Sequence, residues 1–113
     1  MIIKKYNIKW DVPENISFFI SSNESGFSEG KFKHANFSNS VGDMNVHVSK
    51  NIEELKKGIN INNISFMKQT HSNKIKRLIY YKSFVQSDGI YTSNTNISCA
   101  VVTADCMPIL VTN

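Results

Sequence analysis

The sequence predicts a mixed α/β domain, with a mixed β-sheet and flanking helices, and three observations carry that prediction. One segment repeats apolar residues at the helical period. Several short apolar runs are cut by Asn, Asp, Gly and Ser turns. A β-branched run, S-C-A-V-V-T-A-D-C-M-P-I-L from Ser98, lies near the chain end. With 113 residues, 41% hydrophobic and 19% charged, the chain has the composition of one small globular domain or part of a larger one, and not of a disordered segment.

In chain order, residues 16–21 (I-S-F-F-I-S) read as a short strand entering a Ser/Gly/Asn/Glu loop at 22–30. A second loop, A-N-F-S-N-S-V-G-D over 35–43, has the small polar residues of a substrate-facing turn. The helix is expected over about 46–57. There Val48, Ile52, Leu55 and Ile59 recur at the 3.6-residue period, Asp43 or Asn45 can cap the start, and Gly58 can stop it. Glu53 and Lys57 stand in the favourable i,i+4 order. A strand over 64–70 follows, with Ile64 and Phe66 on one face and Met67, Gln69 and His71 on the other. Then come a turn at His71-Ser72-Asn73, a strand over 74–81, a turn at Asp88-Gly89, a short run at 90–92 and the final strand. The sheet is expected to be largely antiparallel or mixed, with the site at its strand ends.

The final strand is the most informative element. A buried-type strand that delivers an acid, Asp105, and a thiol, Cys106, to its tip mounts both on a rigid scaffold. Pro108 blocks normal pairing there, so the tip must bend. The apolar run Ile109-Leu110-Val111 just beyond it has no covering partner in the sequence, which predicts self-association through a bare strand edge.

The formal charge of +4 comes from lysines scattered along the chain. The one tight cluster, Lys74-Ile75-Lys76-Arg77, reads as a solvated strand face, so no nucleic-acid partner is expected. An anionic small molecule remains compatible with this charge. Met1-Ile2-Ile3 runs straight into Lys4-Lys5, without an apolar leader, and no segment reaches membrane-spanning length. The expectation is a cytoplasmic protein with no membrane partner. Cys99 and Cys106 on one extended run would stand roughly 23 Å apart, beyond disulfide reach. Cys99 reads as a small buried apolar residue.

Three residues invite a chemical role and each has a plain alternative. His71, at a strand end, can be a ligand or base, or simply a surface histidine. Cys106, at a bent tip, can be a nucleophile or soft metal ligand, or a packed thiol. Asp105 can orient a partner or accept a proton, or bond its own backbone in a turn. Asp88-Gly89 reads as a turn, and His34 and His47 as surface residues without acidic or thiol neighbours.

Read together, A-N-F-S-N-S-V-G-D, V-S-K-N, Q-T-H-S, S-D-G-I-Y-T and V-T-A-D-C-M-P-I-L resemble the YfiH family from about Ser21 onward. That family is also called the laccase-domain or polyphenol-oxidase family, and its members are described as purine nucleoside phosphorylases. The resemblance implies that His71 and Cys106 are two of three zinc ligands, with Asp105 behind them. The third ligand is a histidine in a downstream H-A-G-W-R-G segment. It implies that Asn36 and Asp43 shape the substrate-binding site. The implied partners are phosphate and a purine nucleoside (adenosine, inosine or methylthioadenosine), and adenosine deamination is a second implied reaction. Zinc held by one thiolate and two imidazoles keeps a fourth position open for water, which suits deamination, whereas phosphorolysis needs an anion pocket and stabilisation of the departing purine.

The chain departs from the family pattern at three places. It ends at Asn113 before any H-A-G-W-R-G, and Asn23 and Ile52 stand where the family has arginines. The expectation is therefore a single incomplete YfiH-like domain over 1–113, with doubtful activity of its own. Two alternatives are a copper-dependent polyphenol oxidoreductase, disfavoured because three histidines are few for such a site, and a non-catalytic fragment or binding module.

Overall fold

The computed structural model of the chain describes residues 3–113. Met1 and Ile2, which open the run read for a leader sequence, lie outside the described residues. The elements are a short 3-10 turn Gly30–Phe32, helix α1 (Asn45–Ile59), and strands β1 (Ile64–Lys68), β2 (Ile75–Arg77), β3 (Phe84–Gln86), β4 (Gly89–Tyr91) and β5 (Ser98–Ala100). This is the α/β class that the sequence predicts. The chain divides into two compact units, one reaching to Ile59 and including Ile109–Asn113, the other Asn60–Pro108.

The first unit is built on α1. Its buried stripe is Val48, Asn51 and Leu55, with Ile52 and Ile59 only half-buried. A polar residue therefore occupies the middle of the apolar face. The helix passes through Gly58 and ends where Asn60 adopts φ 54°, the left-handed conformation that stops a helix. Met44 begins the helical hydrogen bonding, its carbonyl accepting from Val48 at 3.2 Å. Lys57 approaches Glu54 at 4.0 Å rather than the Glu53 that the i,i+4 spacing suggested. Residues 16–21 do not form a regular strand. They pair with the chain start through one antiparallel bridge, Lys5 to Ser21, flanked by Tyr6 N–H to the Ile20 carbonyl and Ser22 N–H to the Lys4 carbonyl, both 2.8 Å.

The second unit holds the sheets. β1 is the centre of the order β3-β1-β5, and β2 pairs with β4 in a second sheet. Every one of these pairings is parallel, where a largely antiparallel or mixed sheet was expected. As the middle strand, β1 buries Ile64, Ser65 and Phe66 in succession rather than on one face. That is the usual state of a parallel strand covered on both sides. Leu78, Val85 and Ile97 form a small core with Ile90 against it. β3 went unrecognised in the sequence because three residues carry too little period to read. Of residues 74–81, only Ile75–Arg77 are strand, and all three are exposed, as expected of a solvated face. β5 is likewise confined to Ser98–Ala100, and Cys99 is exposed rather than buried. Its neighbours Ser98 and Ala100 are only half-buried, so no layer packs closely over this edge strand and the fully buried reading failed there. No helix among the described residues is long and apolar enough to cross a membrane.

Candidate metal-binding turn and its supporting loops

The parallel topology determines which loops meet. β1, β3 and β5 run the same way, so the segments after each of them leave the same, C-terminal, edge of the sheet. His71 follows β1, Asp88 follows β3, and Asp105 and Cys106 follow β5. In open parallel sheets this edge is where ligands are usually bound.

The turn after β1 is gripped by Asp88. Lys68 is in register with Gln86, so Asp88, two residues past Gln86, stands level with Thr70, two residues past Lys68. Its Oδ1 accepts the main-chain N–H of Thr70 at 3.1 Å and of His71 at 2.8 Å. Its Oδ2 accepts the Ser72 N–H at 3.0 Å and the hydroxyls of Ser72 and Thr70 at 2.6 and 3.1 Å. These five donors, the Ser72 hydroxyl foremost, hold the Asp88 carboxyl far below the usual carboxylate range against a partial desolvation. The base of the grip is itself fixed. Ser87 is fully buried, and its hydroxyl lies 2.9 Å from the Lys74 carbonyl and 2.7 Å from that of Gly89. The N–H groups of Asp88 and Gly89 donate to the same Lys74 carbonyl at 3.0 and 3.1 Å. A Cβ on Gly89 would come within 3.1 Å of Ile75, so the close approach of this turn to β2 favours glycine.

Within this grip His71 adopts φ 59°, uncommon for a residue with a side chain, and stays exposed. Asp88 binds only its main chain, and the imidazole is free of the clamp. The other tip is bent at residues 104–106, as the sequence suggested, with Asp105 at φ 63° and Cys106 exposed. The bend comes before Pro108, at an aspartate, a residue type that tolerates this conformation. Desolvation pushes the Cys99 thiol above its ordinary value even though the residue is exposed overall. Both cysteines are free.

As donors, one exposed imidazole and one exposed thiol suit zinc or another borderline to soft ion. Among the described residues no three His, Cys, Asp or Glu side chains gather into a metal-binding group. A complete site in the pattern that the resemblance implies therefore needs a further donor.

Asn36 and Asp43 lie in the other unit and are engaged with each other. Asn36 Nδ2 donates to Asp43 Oδ2 and to the Ser38 carbonyl, both 3.0 Å, while its Oδ1 accepts the Ser38 N–H. Ser28 donates to the same Asp43 oxygen at 2.6 Å, and the Met44 N–H to the other at 2.8 Å. The Ser28 hydroxyl and then the Asn36 amide hold the Asp43 carboxyl below its ordinary value. His47 Nδ1 lies 3.8 Å from Asp43 Oδ1, so His47 does have an acidic neighbour, one helical turn away. Behind them stands Asn51, wholly buried. It accepts the Phe27 N–H at 2.7 Å and donates to Ser28 Oγ at 3.0 Å and the Asn36 carbonyl at 2.7 Å, with the His34 carbonyl at 3.4 Å.

Comparison with known proteins agrees with this architecture. Residues 17–113 match the family model described as multi-copper polyphenol oxidoreductase laccase. A Haemophilus influenzae protein named purine nucleoside phosphorylase is 35% identical over 107 residues, covering 94% of this chain and 44% of its own length. Proteins of the same name from Clostridium acetobutylicum and Bacillus subtilis are 32% and 31% identical, with 37% and 38% of their lengths covered. The chain thus spans less than half the length of these curated relatives. A solved Neisseria meningitidis structure described as a DUF152 member superposes with a TM-score of 0.76 at 23% identity, over 94% of this chain and 43% of that one. That likeness establishes the fold. With 97 of 113 residues inside the family model, the chain belongs to the multi-copper polyphenol oxidoreductase laccase family, whose YfiH-like members its motifs resemble.

Proposed function

We propose that this chain carries part of the active site of a metal-dependent purine nucleoside phosphorylase, with His71 and Cys106 as ligands of one zinc ion. The observation that carries the reading is the parallel sheet, whose shared edge sends out both segments. The β1–β5 pairing ends at Phe66 opposite Ala100, and the segments carrying His71 and Cys106 both continue from that end of the pair, which supports the reading. The names of the curated relatives support the substrate class.

Bound zinc would supply Lewis acidity at this edge. The chain's own part is to present an imidazole from a fixed turn and a thiolate from a bent tip. Asp105 sets the direction of that tip. Asn36 and Asp43 are the proposed substrate-binding residues. In the reaction, the bond from ribose C1′ to the purine nitrogen breaks and a bond from C1′ to a phosphate oxygen forms. The purine leaves with the electron pair and takes up a proton. Adenosine, inosine and methylthioadenosine are the proposed nucleosides, and adenosine deamination is a second proposed activity. Copper stands as the alternative ion, supported by the description of the family model. Two free thiols support a reducing, cytosolic setting. Ile109 and Val111, 77% and 87% exposed, support self-association.

The test is incubation with adenosine and phosphate of the protein together with any sequence that follows Asn113 in frame. Adenine and ribose 1-phosphate should be released, and the His71→Ala and Cys106→Ala variants should release neither. Absence of both products from the unaltered protein contradicts the reading.

A further inference from the structure

We infer that Asp88 is the positioning residue for His71, an inference that rests on the reading of His71 as a metal ligand. The sequence offers Asp88 only as a turn residue before Gly89, yet its carboxylate binds three consecutive main-chain N–H groups, those of Thr70, His71 and Ser72. A left-handed residue with a side chain persists only where its surroundings over-determine it. Here the carboxylate supplies that constraint at His71, φ 59°. Every Asp88 bond to His71 goes to the main chain, which fixes the ring's origin while leaving both ring nitrogens free for a ligand. The main chain of Asp88 is held from behind, its N–H donating to the Lys74 carbonyl that also accepts the hydroxyl of buried Ser87, so the carboxylate projects from a fixed backbone. This is the arrangement by which residues behind a metal ligand orient it.

The geometry identifies an informative substitution. In Asp88→Asn, the amide oxygen can take the place of Oδ1 and keep the Thr70 and His71 N–H groups. The amide nitrogen then faces the Ser72 hydroxyl and the Thr70 hydroxyl, which can turn to accept, but also the Ser72 N–H, which cannot. One backbone donor is left opposed by another, and the turn must open.

The experiment measures zinc affinity by chelator competition in the full-length protein and its His71→Ala, Asp88→Asn and doubly substituted forms, with amide hydrogen exchange at residues 70–72 followed in parallel. Asp88→Asn should weaken zinc binding by about 10- to 100-fold, the range seen when groups behind a ligand are lost. It should accelerate exchange at His71 and Ser72, and it should add nothing to the loss already caused by His71→Ala. Unchanged zinc affinity in Asp88→Asn overturns the inference while leaving the metal reading intact if His71→Ala is impaired. An equal Asp88→Asn loss in the His71→Ala background also overturns it, because Asp88 would then act on the fold at large. If His71→Ala binds zinc normally, the metal reading fails and the positioning role fails with it. Should Asp88→Asn not fold, Ser72→Ala removes the 2.6 Å bond to Asp88 together with the longer ones that the hydroxyl accepts from the Lys74 N–H at 3.2 Å and the Thr70 hydroxyl at 3.4 Å, and a zinc affinity within error of the unaltered protein overturns the inference.

Discussion

The two units each fix a loop with one polar side chain, and they do it in opposite ways. Asn51 is neutral, wholly buried and surrounded by main-chain groups of residues 27–36. Asp88 is charged, partly exposed and holds a turn of three residues. A buried amide has no water to fall back on, so its loss leaves several groups unpaired inside the protein. An exposed carboxylate can be replaced by water at modest cost, but water does not impose a φ on its neighbour. The first device should therefore govern stability, and the second the geometry of one side chain.

The largest effect expected from that contrast is at Asn51. Asn51→Leu fits the volume of the helix stripe but strands the Phe27 N–H and the Asn36 carbonyl, while the Ser28 hydroxyl keeps its bond to Asp43. Orphaned buried groups cost about 1–3 kcal/mol each, so the variant should lose about 2 kcal/mol or more in a denaturant titration. A loss under about 1 kcal/mol, the range of an ordinary surface change, would show that water reaches the site and that the contrast is false.

A smaller effect separates the two hubs by acid. Asp88 and Asp43 both have carboxyls below the ordinary value. Each therefore adds stability that is complete above the unfolded carboxyl pKa of about 3.9 and fades as pH falls through the lower folded value. On acidification below about pH 4, exchange at His71 and Ser72 should quicken while the Phe27 amide, bound to Asn51, stays protected. Loss of Phe27 protection first would reverse the assignment. The smallest effect belongs to Cys99. Cys99→Ala should leave zinc affinity and stability nearly unchanged, because the residue is exposed at a sheet edge. A tenfold fall in zinc affinity would move the proposed thiolate from Cys106 to Cys99.

How much of this was legible beforehand follows from the same physics. The helix showed itself through Val48 and Leu55, and the A-D-C tip through its bend. Asn51 was hidden inside the helix pattern, although its position, i+3 from Val48 and i−4 from Leu55, was a signal that a polar residue sat on the buried face. β3 and the parallel pairing were not readable, because three-residue strands have no period and pairing direction depends on contacts far apart in sequence. Asp88 looked like any Asp-Gly turn. Only the register of Lys68 with Gln86 brings it level with the turn that carries His71.

The account rests on His71 and Cys106 sharing one ion, and cobalt substituted for zinc tests that most directly through its absorption spectrum. The account predicts a thiolate-to-cobalt charge-transfer band that vanishes in Cys106→Ala, with visible ligand-field bands that shift in His71→Ala and not in Cys99→Ala. A charge-transfer band that survives in Cys106→Ala, or ligand-field bands indifferent to His71→Ala, would contradict it.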